Sequence, residues 1–243
     1  MAGRIIWDAV GEREYETGTD HGVLYPWDST ANSGAGGYGV GVAWNGLTGV
    51  SQSPEGGEPQ AMWADNIKYL NLMSSEEFNA TVTCYTYPDE WAECDGSAEL
   101  CTGVTIGQQS RKTFGLSYRT ILGNDTESND HGYKIHLVYG CLASPSQKDY
   151  KTVNDSPEAI EFSYDIKTTP VPVTGFRPTA HIEITSTDFA EDPQTHVKTG
   201  LVNLENFIYG TDADATAGTA ATDAKLPMPD DIPSIIAGTY VAG

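Results

Sequence analysis

The sequence predicts a mainly β fold: two packed antiparallel sheets, as in a β-sandwich or barrel, with one flanking α-helix and extended N- and C-terminal arms. Three observations predict it. Several segments alternate apolar and polar residues with the period of two that a half-buried strand requires. Glycine (26) and proline (13) are frequent in 243 residues, as many short strands joined by turns demand. Finally, neither a parallel βαβ rhythm nor an internal repeat of 20–50 residues is present, which excludes doubly wound sheets, solenoids and propellers.

Taken in order, residues 1–19 carry a few apolar anchors (Ile5, Ile6, Trp7, Val10 and Tyr15) among charges, without a period, and read as an N-terminal arm. Gly22 to Tyr25 is a short strand ended by Pro26. The Gly-rich connector Ser33–Gly41 then feeds a strand around Val42–Val50. Residues 51–59, SQSPEGGEP, form a loop with two prolines, two glycines and two acids, and Ser53, Pro54, Glu55, Gly56, Gly57, Glu58 and Pro59 are its protruding part. Ala61–Met73 resumes as strand, with a hairpin turn at Asp65–Asn66. Phe78, Ala80, Val82 and Cys84 alternate with Glu77, Asn79, Thr81 and Thr83, giving one apolar and one polar face. Pro88–Asp89 turns the chain, Glu90–Glu93 is one helical turn, and Asp95–Gly96 stops it.

The alternation returns at Phe114, Leu116, Tyr118 and Thr120, opposite Ser117 and Arg119. Gly123–Gly132 is a polar hairpin loop. Tyr133, Ile135, Leu137 and Tyr139 then face away from Lys134 and His136. Ile160, Phe162, Tyr164 and Ile166 alternate with Glu161, Ser163, Asp165 and Lys167, and Ile182 and Ile184 mark a last strand. Thr199–Tyr209 predicts a helix, with Leu201, Leu204 and Ile208 on one side and Gly210 as its stop. The Ala/Thr/Asp-rich stretch 211–225 reads as unpacked, and LPMPDDIPSIIAG as a Pro-punctuated extended tail. The organisation expected is an arm (1–19), a β domain (20–210) and a C-terminal extended tail (211–243).

Charge and cysteines bound the function. Acids outnumber bases by 34 to 13, a formal net charge of −21. So acidic a surface repels phosphate and speaks against sequence-specific nucleic-acid binding. No apolar run approaches the roughly 18 residues of a membrane helix, and Ile5-Ile6-Trp7 is too short for a signal-peptide core. Cys84 and Cys141 read as small core residues. Six residues separate Cys94 from Cys101, more than the two to four of a common zinc knuckle, even with His131 and His136 nearby. Reduced thiols are expected.

Catalytic vocabulary is sparse. The sequence holds no GxSxG elbow, Walker loop, HExxH or EF-hand loop. Glu161 and Asp165 lie on one strand face about 13 Å apart by strand rise, too far for a glycosidase pair. The five tryptophans (Trp7, Trp27, Trp44, Trp63 and Trp91) are dispersed, which favours core or interface packing over a sugar platform. No catalytic, cofactor-binding or metal-binding residue is assigned.

Against this background the segments GVAWNGLTGVSQSPEGGEP (41–59), EFNATVTCYTYPDEWAECDG (77–96), GVTIGQQSRKTFGLSYRTILGNDTE (103–127) and YKIHLVYGCLASPS (133–146) together resemble the major tail protein of long-tailed bacteriophages. LENFIYGTDAD and LPMPDDI near the end resemble its C-terminal region. The likeness runs in order over most of the chain. It implies a β-sandwich or barrel of the tail-tube kind, no enzyme and no cofactor. It further implies hexameric rings stacked into a tube in the virion tail, assembled in the host bacterial cytoplasm, that passes double-stranded DNA. Implied partners are further copies of the chain, a tape measure protein, a tail terminator and distal tail or baseplate proteins, with no membrane.

In that setting the arm anchored by Ile5, Ile6, Trp7 and Tyr15, the loop 51–59 and the C-terminal tail join rings. Glu77, Asn79, Thr81, Thr83, Glu161, Ser163, Asp165 and Lys167 become candidates for the lumen wall. Another phage tail or decoration β-protein, or a carbohydrate-binding β-sandwich, are the alternative readings.

Overall fold

A computed structural model describes residues 4–31, 36–152, 159–213 and 219–241. Ser33–Ala35 of the Gly-rich connector and Asp214–Gly218 of the Ala/Thr/Asp-rich stretch lie outside the described residues, as do the chain ends. The strands are β1 (Glu14–Asp28), β2 (Gly37–Tyr38), β3 (Val42–Ala43), β4 (Leu47–Gln52), β5 (Glu55–Gly56), β6 (Pro59–Ala64), β7 (Ile67–Met73), β8 (Glu76–Glu77) and β9 (Asn79–Cys84). After the short helix α1 (Trp91–Asp95) come β10 (Ala98–Cys101), β11 (Val104–Ile106), β12 (Phe114–Asn124), β13 (Ser128–Ala143), β14 (Phe162–Thr168) and β15 (His181–Thr185). Helices α2 (Thr199–Tyr209) and α3 (Ile232–Ile236) close the chain.

Mainly β architecture with few helices is the result. Nine strands form one antiparallel sheet in the order β2-β1-β12-β13-β14-β9-β4, with β3 on β1 and β15 on β13. The long strand β13 makes two layers out of this single sheet. Lys134–Val138 pairs with β15, and Cys141–Ala143 pairs with β14. Between them Gly140 adopts φ +59°, and a Cβ there would sit 2.2 Å from the Thr169 carbonyl oxygen. Only glycine makes this break without strain, because L side chains rarely adopt that backbone conformation.

The β12–β13 pair is buried on both sides. On one, Phe114, Leu116, Tyr118, Val138 and Cys141 pack with Val82, Cys84, Tyr164, Ile166, Trp44 and Trp91 from the β4–β9–β14 layer and α1. On the other, Ile135, Leu137 and Tyr139 pack with Val23, Tyr25 and the apolar stripe Leu201, Leu204 and Ile208 of α2. Each such side chain contributes about 1.5–3 kcal/mol by leaving water. On the α2 side two buried hydroxyls are satisfied: Tyr25 donates to the Ile208 carbonyl (2.8 Å) and Tyr139 to the Pro227 carbonyl (2.9 Å), whereas Trp91 Nε1 and the Tyr164 hydroxyl on the other side have no hydrogen-bond partner among the described residues.

Three expectations need correction. Residues 14–19 belong to β1 and pair with β12, so the arm ends at Arg13. Glu14 to Tyr25 lacks a legible period because two bulges, at Gly18 and at His21–Gly22, each reset the alternation, and Pro26 sits within the strand opposite Phe114. The C-terminal tail is not extended. Its described residues fold back on the domain, with Leu226 and Ile235 buried against α2 and Gly41 donating its N–H to the Ala224 carbonyl. The polar hairpin loop 123–132 is mostly strand, since β12 and β13 pair as far as Asn124 and Ser128.

Candidate functional site

Two surfaces stand out, a polar wall and an apolar projection. The wall is the outer face of β4–β9–β14. Separate strands nominate its residues, and register joins them: Asp165 pairs with Thr81, Ser163 with Thr83 and Lys167 with Asn79. Ser51 and Gly49 of β4 extend the same face through their pairing with Thr81 and Thr83. The inner faces of these strands bury Val82, Cys84, Tyr164 and Ile166, so alternation forces the intervening polar residues outward.

Hydroxyls and acids interlock on this wall. The Thr81 hydroxyl donates to Asp165 (2.8 Å). Thr48 donates to Glu161 (2.6 Å) and lies 2.9 Å from the Thr83 hydroxyl. Lys167, the one cation among the nominated residues, ion-pairs with Glu55 at 3.1 Å, so its charge is taken up at the edge of the wall. Glu161 and Asp165 are left as its net charge. Two nominated residues differ from the rest: Asn79 is buried, and Glu77 lies in β8 at the root of a hairpin, paired with Glu55.

That hairpin is the apolar projection. The loop 51–59 is its first limb: Ser51 and Gln52 end β4, Glu55 and Gly56 pair with β8, and Pro59 begins β6. Strands β6 and β7 then pair only with each other and turn at Asp65–Asn66, both with positive φ, the conformation of a tight hairpin turn. Every residue of both strands is exposed. Met62, Trp63, Ile67, Tyr69, Leu70, Leu72 and Met73 therefore present apolar side chains to solvent, Trp63 at 70% and Met73 at 72% exposure. The arm does the same, with Ile5, Ile6 and Trp7 at 68–74%. Tyr15 is fixed by donating its hydroxyl to Asn129.

The remaining candidates offer little chemistry. Cys84, Cys94 and Cys141 are buried, and Cys101 is exposed on β10. Burial pushes the Cys94 thiol up to about 12, so it rests as the neutral thiol at neutral pH. Among the described residues no three His, Cys, Asp or Glu side chains are placed to hold a metal ion. Of the tryptophans, Trp44 and Trp91 are core, Trp7 and Trp63 project, and Trp27 stands edge-on to Tyr38. No protein family matches the chain, and no curated protein does so either.

Of the eight nominated residues, Thr81, Thr83, Glu161, Ser163, Asp165 and Lys167 lie together on this outer face, Asn79 and Glu77 do not, and the Asp65–Asn66 hairpin turn is where the sequence placed it. Sequence reasoning missed how much of the hairpin is apolar and uncovered. The stretch MWADNIKYLNLM carries apolar residues on both faces, a pattern that a pair covered on two sides shares, so it does not by itself reveal that the hairpin is uncovered.

Proposed function

We propose that the chain is a structural subunit that polymerises with copies of itself, as the ring-forming tail tube protein of a long-tailed phage. The observation that carries self-association is the hairpin β6–β7. A two-stranded ribbon is marginal alone in water, and seven large apolar side chains on it are uncovered within the chain. A partner surface must cover them, and a repeated copy of the same chain is the simplest partner with a fixed stoichiometry.

The tube reading adds the sequence resemblance and the wall. Strands β4 and β15 each carry a free edge among the described strands, which ring closure would pair. In a closed ring the β4–β9–β14 face would line the lumen. Its hydroxyls and unpaired acids would let DNA slide, whereas a basic wall would hold phosphates through counterion release. The hairpin and the Ile5–Trp7 arm would bridge successive rings, and tape measure, terminator and distal tail proteins would meet the lumen and the two tube ends.

Negative-stain microscopy of the purified chain tests this: rings or long tubes of constant diameter are expected, and a monomer at all concentrations would sink the reading. Replacing Glu161 and Asp165 by lysine should leave tube formation intact while slowing genome release. Normal infectivity of that variant would remove the lumen assignment.

A further inference from the structure

Four rings form a stepped column across the sheet. Phe78 stacks on His181 (4.6 Å between centroids, 11° between planes), His181 and His136 lie nearly coplanar edge to edge (5.4 Å, 9°), and His136 stacks on Tyr118 (4.6 Å, 9°). They come from the β8–β9 link, β15, β13 and β12, so the column ties the root of the hairpin and an edge strand to the centre of the sheet. His136 is 2% exposed.

The hydrogen bonds through the column have one consistent direction. Thr120 donates its hydroxyl proton to Glu16, which as a carboxylate only accepts. The Thr120 oxygen, 3.0 Å from His136 Nε2, therefore accepts from that nitrogen. This leaves His136 Nδ1 unprotonated, so the N–H that closes its 3.1 Å contact with His181 Nε2 belongs to His181. Donation runs His181 to His136 to Thr120 to Glu16, with both imidazoles neutral.

The charges facing the pair come from three strands. Glu16 of β1 lies 3.7 Å from His136 Nε2, and Glu183 of β15 lies 3.9 Å from His136 Nδ1. Lys134 of β13 bridges both carboxylates at 3.0 and 2.9 Å. Phe78 is apolar, and Tyr118, which accepts from Gln52, is uncharged in this range. One net negative charge thus faces two imidazoles. One proton on His181 Nδ1 is compatible with the chain of donors. A second, on His136 Nδ1, would point two N–H groups at each other across 3.1 Å.

We propose that the His136–His181 pair is an acid-operated latch, which holds β15 and, through Phe78, the hairpin root against β13, and opens when both imidazoles are protonated. Strand β15 is suited to open because β13 is its sole strand partner among the described residues. Burial holds His181 down at about 4, with the neighbouring His136 adding to the effect, and burial likewise lowers His136 against the pull of Glu183 and Glu16. Released into water, both rings titrate near 6.5. The open form therefore binds more protons between about pH 4 and 6.5. Opening rises as pH falls through that window and is independent of pH above it.

Amide hydrogen exchange in β15 of the full chain, kept dispersed at low concentration and corrected for intrinsic rates, reads the opening directly. Below pH 6.5 the opening constant should rise more than about 10-fold per pH unit and approach about 100-fold, the slope of two protons. His181→Phe preserves the ring column and removes one proton, and its slope should fall to about 10-fold per unit or less. Should that variant not fold, imidazole NMR titration of the wild-type chain decides. A flat β15 profile, an unchanged slope in the variant, or either ring titrating at 6.5 while β15 stays protected would overturn the latch. The measurement is made on single chains, so its outcome is independent of the tube reading.

Discussion

Strand pairs β12–β13 and β6–β7 are both antiparallel, both rich in apolar residues and both built around a tight turn, yet they have opposite fates. The first is covered on two faces, by the β4–β9–β14 layer and by α2. The second is covered on neither. The difference lies in what the rest of the chain brings to each pair, since local pattern does not distinguish them. Apolar surface left over after one chain has folded is surface available for assembly.

The largest effect should come from breaking the covered pair. Leu137→Ala removes a fully buried side chain between β13 and α2 and should cost about 2–5 kcal/mol, read as a lower urea midpoint at unchanged slope. Gly140→Ala attacks the break that lets β13 serve two layers. Positive φ and the Thr169 carbonyl both oppose a Cβ there, so a loss of about 2–3 kcal/mol is expected in the same assay. The smallest effect on the chain's own stability belongs to the exposed ribbon. Leu70→Ser with Leu72→Ser should change it by less than about 0.5 kcal/mol while abolishing tubes in the microscope. A large loss of monomer stability from that double variant would erase the contrast between the two pairs.

Much of the fold was legible. Helix Thr199–Tyr209 and its buried stripe, the Asp65–Asn66 turn and the alternation of β9 and β14 follow from period and turn chemistry. The two-sided burial of β12–β13 was not legible. Its strands turn their apolar alternations to opposite faces of the sheet, and the positions between hold Ser117 and His136, which look solvent-facing until their partners are known. Ser117 lies against the Tyr25 hydroxyl, and His136 is bonded to Thr120 and His181. A polar residue is cheap to bury once it is paired, and pairing is a long-range fact. For the same reason the Pro-rich ending read as an extended tail, though Leu226 and Ile235 are buried in one core with the α2 stripe.

The sequence by itself determined the strand class, the helix Thr199–Tyr209, the acid excess and the two polar faces, because each depends on residues within one local period. Tertiary structure alone decided that those faces meet as Thr81–Asp165 and Thr83–Ser163 neighbours, and that one bent strand makes two layers from one sheet. It also left a hairpin without a cover. Register, two-sided burial and leftover surface depend on which distant segments meet, and a period of two carries no information about that.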